Sequence, residues 1–134
     1  MSATAFSVME SSVPLEGGKG DGCTWRTLTS ADRTPTTQLT SGVCELEPGG
    51  ELELHRHPTL ELYYFLEGTG VVMLGSQLQP VAAGSTISIP ADLPHGIRNT
   101  GATTLKLFYV FPVDSFSEVV YTMLGESQAT ASAP

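Results

Sequence analysis

No stretch of this chain approaches the roughly 20 consecutive apolar residues that cross a bilayer as a helix, and Met1 to Glu10 lack the basic start and apolar run of a secretory leader. A cytoplasmic protein is expected. Basic residues are scarce: six Lys and Arg stand against 14 Asp and Glu, for a formal charge of −8. That balance argues against nucleic acid or an anionic membrane as partner, because either needs a Lys/Arg patch. It reads first as solubility charge, and secondarily as a field that favours a cationic or zwitterionic ligand. Only two cysteines are present, Cys23 and Cys44. They form no CxxC pair and stand apart from the histidines, so small buried hydrophobes are expected, with a disulfide between them left open. No internal repeat is visible, and no long run carries a 3.6-residue period bounded by caps. At 134 residues and 14.2 kDa the chain holds one domain with one core.

What the sequence does have is strands. From Thr24 to Tyr121 short apolar runs alternate with Gly, Pro, Ser and Asn turns. The runs are Leu52 to His57, Glu61 to Leu66, Val71 to Leu74, Thr86 to Ile89, Gly96 to Asn99, Leu105 to Phe111 and Glu118 to Thr122, with Gly75-Ser76-Gln77 as a turn. An all-β sandwich or barrel is expected. Ser11 to Gly22 reads as an arm or loop, so the chain divides into an arm over 1–22, a barrel over 23–124 and a small, polar tail over 125–134.

Chemistry concentrates in three histidines and one glutamate. Alternate side chains of a strand share a face, so His55 and His57 aim two imidazoles at one point, and Glu61 keeps the same parity. With His95 they form a three-nitrogen, one-oxygen shell that suits Fe(II), Mn(II), Ni(II), Co(II) or Zn(II) and leaves room for water or substrate. In the run from Glu61 to Leu66, Tyr63 shares the face of Glu61 and should look inward. Leu62, Tyr64 and Leu66 form an apolar face on the other side that must pack on something, and a homodimer is the economical expectation.

The surrounding residues identify a family. Gly49, His55, His57, Glu61 and Gly68, then Gly84, Pro90, Asp92, His95 and Asn99, resemble the paired motifs of the cupin superfamily at every spacing. The one departure is Asp92, where the second motif usually has Gly. Asp tolerates the left-handed conformation better than most residues, so a turn there is still expected. The resemblance implies a single-domain double-stranded β-helix, the jelly-roll barrel of cupins.

Two further stretches resemble the short cupin-type dimethylsulfoniopropionate lyases: His55-x-His57-x3-Glu61-x-Tyr63-x2-Leu66-x-Gly68, and the closing segment from Phe108 to Tyr121. Trp25 falls where those lyases have a tryptophan. The resemblance implies β-elimination of dimethyl sulfide with formation of acrylate, with His55, His57, Glu61 and His95 as metal ligands. Tyr63 is the expected base and Tyr121 the residue that orients substrate or shares the proton. Trp25, Phe108 and Tyr109 are the expected aromatic faces for a sulfonium-bearing carboxylate. The same shell also suits an iron-dependent dioxygenase, or a small-molecule binding cupin without turnover. Asp92, Arg98 and Asn99 read as turn or supporting residues.

Overall fold

A computed structural model describes residues 3–124. Eleven strands follow one another: β1 Glu16–Gly17, β2 Cys23–Thr29, β3 Thr40–Leu46, β4 Glu51–Arg56, β5 Glu61–Glu67, β6 Thr69–Leu74, β7 Gln77–Ala82, β8 Thr86–Ile89, β9 His95–Asn99, β10 Leu105–Phe111 and β11 Thr122–Met123. The only helical pieces among the described residues are single 3-10 turns at Glu10–Ser12 and Phe116–Glu118. The strands form two antiparallel sheets, ordered β1-β2-β3-β10-β5-β8 and β11-β4-β9-β6-β7. This is the expected all-β jelly roll. The expected tail over 125–134 lies outside the described residues.

Period-two patterning builds the core between the sheets. Along β10, Leu107, Tyr109 and Phe111 are fully buried while Lys106, Phe108 and Val110 are only partly so. Cys44, Leu46, Phe65, Val72, Ile89 and Ile97 complete the interior with them. Asn99 fixes the end of β9: its side-chain amide donates to the carbonyls of Leu46 and Thr103, each at 2.8 Å, and its oxygen accepts the Gly101 N–H at 2.9 Å. Arg98 makes an exposed pair with Glu51.

One expected strand is corrected. Over Glu118 to Thr122 the chain is not one strand: a 3-10 turn occupies Phe116–Glu118 and pairing begins only at Thr122. The Glu118 carboxylate accepts the Ser115 N–H at 3.0 Å, and the Glu118 N–H donates to the Ser115 carbonyl at 3.1 Å. That reciprocal bonding closes a turn where residue propensity alone suggests extended chain.

Asp92 adopts the left-handed conformation, with φ of 63°. Its N–H donates to the His57 carbonyl at 2.8 Å, so this turn ties the two motifs together. Because the residue is exposed and a side chain is strained at this φ, Asp92→Gly is expected to stabilise the fold by about 0.5–1 kcal/mol. Urea denaturation of the two proteins checks it; a lower midpoint for the glycine variant would show that the Asp92 side chain contributes more than the strain costs.

The described part of the arm lies on its own sheet. The Arg26 guanidinium donates to the Val13 carbonyl, and Lys106 pairs with Glu10 at 2.8 Å.

Candidate metal centre

The histidines reach one point from neighbouring strands. His55 sits near the end of β4, directly opposite His95 at the start of β9, and His57 follows β4 by one residue. After Pro58, Thr59 and Leu60 the chain enters the other sheet, so Glu61 and Tyr63 at the start of β5 face them across the barrel. One ligand nitrogen from each of His55, His57 and His95 falls within a cluster no wider than 4.8 Å. All three rings and Glu61 are buried.

The local hydrogen bonds fix the tautomer. Nδ1–H of His55 donates to the Glu53 carbonyl at 2.7 Å, that of His57 to Thr59 at 2.8 Å, and that of His95 to Leu93 at 2.8 Å. A carbonyl only accepts, so each Nδ1 holds a proton and each Nε2 is free to present its lone pair inward. Burial, followed by repulsion from His95, pushes His55 down to about 3, so its ring is neutral at ordinary pH. Its Nε2 is buried with no hydrogen-bond partner, as is Oε2 of Glu61.

Glu61 Oε1 lies 3.1 Å from His57 Nε2 and 3.3 Å from His95 Nε2. With Nδ1 protonated, a neutral ring would turn a lone pair toward a carboxylate oxygen, which is repulsive unless positive charge intervenes. Donors about 2.1 Å from a shared ion would stand roughly 3.0–3.4 Å from each other in octahedral or tetrahedral arrangement. The donor set therefore fits a divalent transition metal.

Aromatic rings wall this cluster. The Tyr121 ring centroid lies 5.2 Å from His55 and 5.3 Å from His57; Phe111 meets His57 edge-on at 5.4 Å, and Tyr63 meets His95 at 6.2 Å. The hydroxyls of Tyr63, Tyr109 and Tyr121 and the Trp25 indole N–H are buried and unpartnered. Burial first, then the charge of Glu61, raises the Tyr63 and Tyr121 phenols well above the ordinary tyrosine value. Burial does the same to Tyr109.

The expected site residues thus divide. His55, His57, His95, Glu61, Tyr63 and Tyr121 come together, and Trp25 and Tyr109 point into the same core. Phe108 does not: it is on the outward face of β10, opposite Val43 and Tyr64, and is corrected from substrate contact to outer-sheet packing. Phe111 and Phe116 were not among the expected residues. Phe111 packs on His57, and Phe116 lies 6.3 Å from Tyr121. Phe111 shares the parity of Tyr109, which is the signal that marks it.

A jelly roll whose interior gathers His-x-His, a glutamate and a third histidine from two facing sheets defines a cupin, and this chain belongs to that family: the Cupin domain model matches residues 42–111. The chain is similar to dimethylsulfoniopropionate lyase DddW of Ruegeria pomeroyi, 34% identical over 113 residues, covering 81% of this chain and 73% of that protein. It is 31% identical over 97 residues to an oxalate-binding protein of Thermotoga maritima, covering 72% and 79%. In fold it matches the polyketide cyclase RemF of Streptomyces resistomycificus, with TM-score 0.75, 24% identity and coverage of 92% and 89%.

Proposed function

We propose that the protein is a metal-dependent carbon–sulfur lyase that cleaves dimethylsulfoniopropionate to dimethyl sulfide and acrylate. The observation that carries this reading is the Tyr63 hydroxyl, buried and unpartnered beside a cluster of metal-ligating side chains. A hydroxyl left without a partner inside a barrel costs stability, and a catalytic base is a reason to keep one there. The likeness to DddW supports the substrate.

His55, His57, His95 and Glu61 would hold a divalent metal, which when bound would supply Lewis acidity toward a carboxylate and favour the Tyr63 phenolate. Tyr63 Oη then removes the proton from the carbon beside the carboxylate. The freed pair forms the carbon–carbon double bond as the carbon–sulfur bond breaks, and dimethyl sulfide departs with the sulfur electron pair. Tyr121, packed against His55 and His57, orients the substrate. Trp25 and Tyr109 present aromatic faces for the sulfonium.

Anaerobic incubation of the chain with dimethylsulfoniopropionate, loaded in turn with Fe(II), Mn(II), Ni(II), Co(II) or Zn(II), tests the reading through headspace dimethyl sulfide and acrylate. Equal release of both is expected. No release with any metal, joined to oxygen-dependent consumption of another acid, would move the chain to the dioxygenases.

Two copies pair through the outward face of β5. Leu62, Tyr64 and Leu66 are each more than 40% exposed there. The cross-strand rows Arg26-Val43-Phe108-Tyr64-Thr86 and Ser41-Val110-Leu62-Ser88 carry no carboxylate. For molecules of charge −8, rows without carboxylates lessen the mutual repulsion across this face. Light scattering is expected to give twice the chain mass, and Leu62→Glu with Tyr64→Glu the chain mass; a monomeric parent protein would refute the pairing.

A further inference from the structure

The two cysteines, far apart in sequence and outside the reaction described above, meet in the barrel wall. Cys23 on β2 lies opposite Leu46 of β3, and Cys44 lies opposite Trp25, so the thiols occupy diagonal positions of one antiparallel pair on its inward face. Their sulfur atoms are 3.5 Å apart and both residues are buried. Both are free thiols. A disulfide bond is about 2.0 Å long, so roughly 1.5 Å of closure, shared between two side chains, would join them.

The two thiols are not equivalent. Cys23 forms part of the wall of an open cleft of about 430 Å³ that is also lined by Gly18, Gly20, Gly22, Glu45 and Glu47. With no side chains, the three glycines leave that approach uncluttered, and the two glutamates discourage anionic oxidants. Cys44 is not among the residues that line the cleft. Its hydrogen bond to Cys23, reinforced by burial, raises the Cys44 thiol well above the usual value, and either sulfur can be the donor of that bond.

We propose that Cys23 and Cys44 are a redox modification site that closes reversibly to an intramolecular disulfide under a small neutral oxidant of the peroxide class. In the first step the Cys23 sulfur attacks one oxygen of hydrogen peroxide. The S–O bond forms as the O–O bond breaks, and the departing hydroxide takes the thiol proton as water, leaving a sulfenic acid. In the second step the Cys44 sulfur attacks Cys23. The S–S bond forms as the S–O bond breaks, and the hydroxide leaves as water with the Cys44 proton. Two thiols lose two electrons in all, and one peroxide becomes two waters. Trp25, the one tryptophan of the chain, faces Cys44 across the strand pair and reports the change.

The test uses the Zn(II)-loaded chain, so that peroxide meets no redox-active metal, and counts thiols alkylated after denaturation. Peroxide is expected to reduce the count from two to zero, lighten the chain by two hydrogens, join the peptides bearing Cys23 and Cys44, and quench Trp25 emission. Dithiothreitol should reverse all four. Cys44→Ser should instead stop at a Cys23 sulfenic acid trapped by dimedone. Should that variant fail to fold, the peptide linkage in the unsubstituted protein decides alone. Two thiols still alkylated after peroxide, or a linkage only between chains, would overturn the proposal. So would loss of the Cys44 thiol at the parental rate in Cys23→Ser.

Discussion

Tyr63→Phe is expected to keep the fold and the metal and to lose turnover by about 10²–10⁴-fold, the usual worth of a positioned base. The substitution removes one oxygen that has no hydrogen-bond partner, so it strands no neighbour and leaves the ring packing against Phe65 and His95 in place. Most buried tyrosine hydroxyls are partnered, and their removal costs stability. Here the thermal midpoint should hold or rise by a few degrees, as expected when an unsatisfied polar atom leaves a core. The combination is diagnostic: unchanged metal stoichiometry, equal or higher melting temperature, and activity reduced at least a hundredfold. Full activity in the variant would remove Tyr63 from the chemistry and make Tyr121, the other unpartnered phenol against the histidines, the next candidate.

Why these residues were legible in sequence, and others were not, has a single physical root. Strand alternation is a local rule, so the side of the sheet on which His55, Glu61 and Tyr63 lie follows from parity once the strands are placed. The same rule separates Phe108 from Tyr109. Consecutive strand residues face opposite ways, and only Tyr109 enters the core. Asp92 was legible as a turn because its neighbours fix the motif, and the backbone takes the positive φ despite the missing glycine. The Ser115–Glu118 turn was not, because reciprocal side-chain and backbone bonds override the β-forming residues that follow. The carbonyls of Glu53, Thr59 and Leu93, which set the tautomers of all three histidines, carry no side-chain signal at all. Which thiol meets which likewise depends on the register between β2 and β3, a quantity that alternation alone leaves free by steps of two residues.

His55 links metal binding to acid stability. His55→Ala removes the Nε2 that no protein group satisfies, and metal affinity is expected to fall by a factor on the order of 10² or more, since loss of a direct ligand should exceed the 10–100-fold typical of supporting residues. The metal-free protein carries a second signature. In the unfolded chain this histidine takes up a proton as pH falls below about 6.5, whereas in the fold it stays neutral down to about 3. The unfolded state therefore binds more protons throughout that window. The contribution of His55 to stability is complete above pH 6.5 and is lost as the pH falls toward 3. Between pH 7.5 and pH 5 the loss is about 2 kcal/mol from this residue alone. Urea denaturation of the chelated protein and of His55→Ala at both pH values isolates it as the difference between their slopes. Equal slopes would mean that His55 is protonated in the metal-free fold, with its Nε2 proton held by a neighbour such as Glu61. Added metal should raise the parental stability at pH 7.5 and steepen its slope, because ligand nitrogens bound to a cation accept no protons in the native state while the unfolded chain still does. The His55→Ala protein, unable to hold the ion tightly, should show neither change at the same metal concentration.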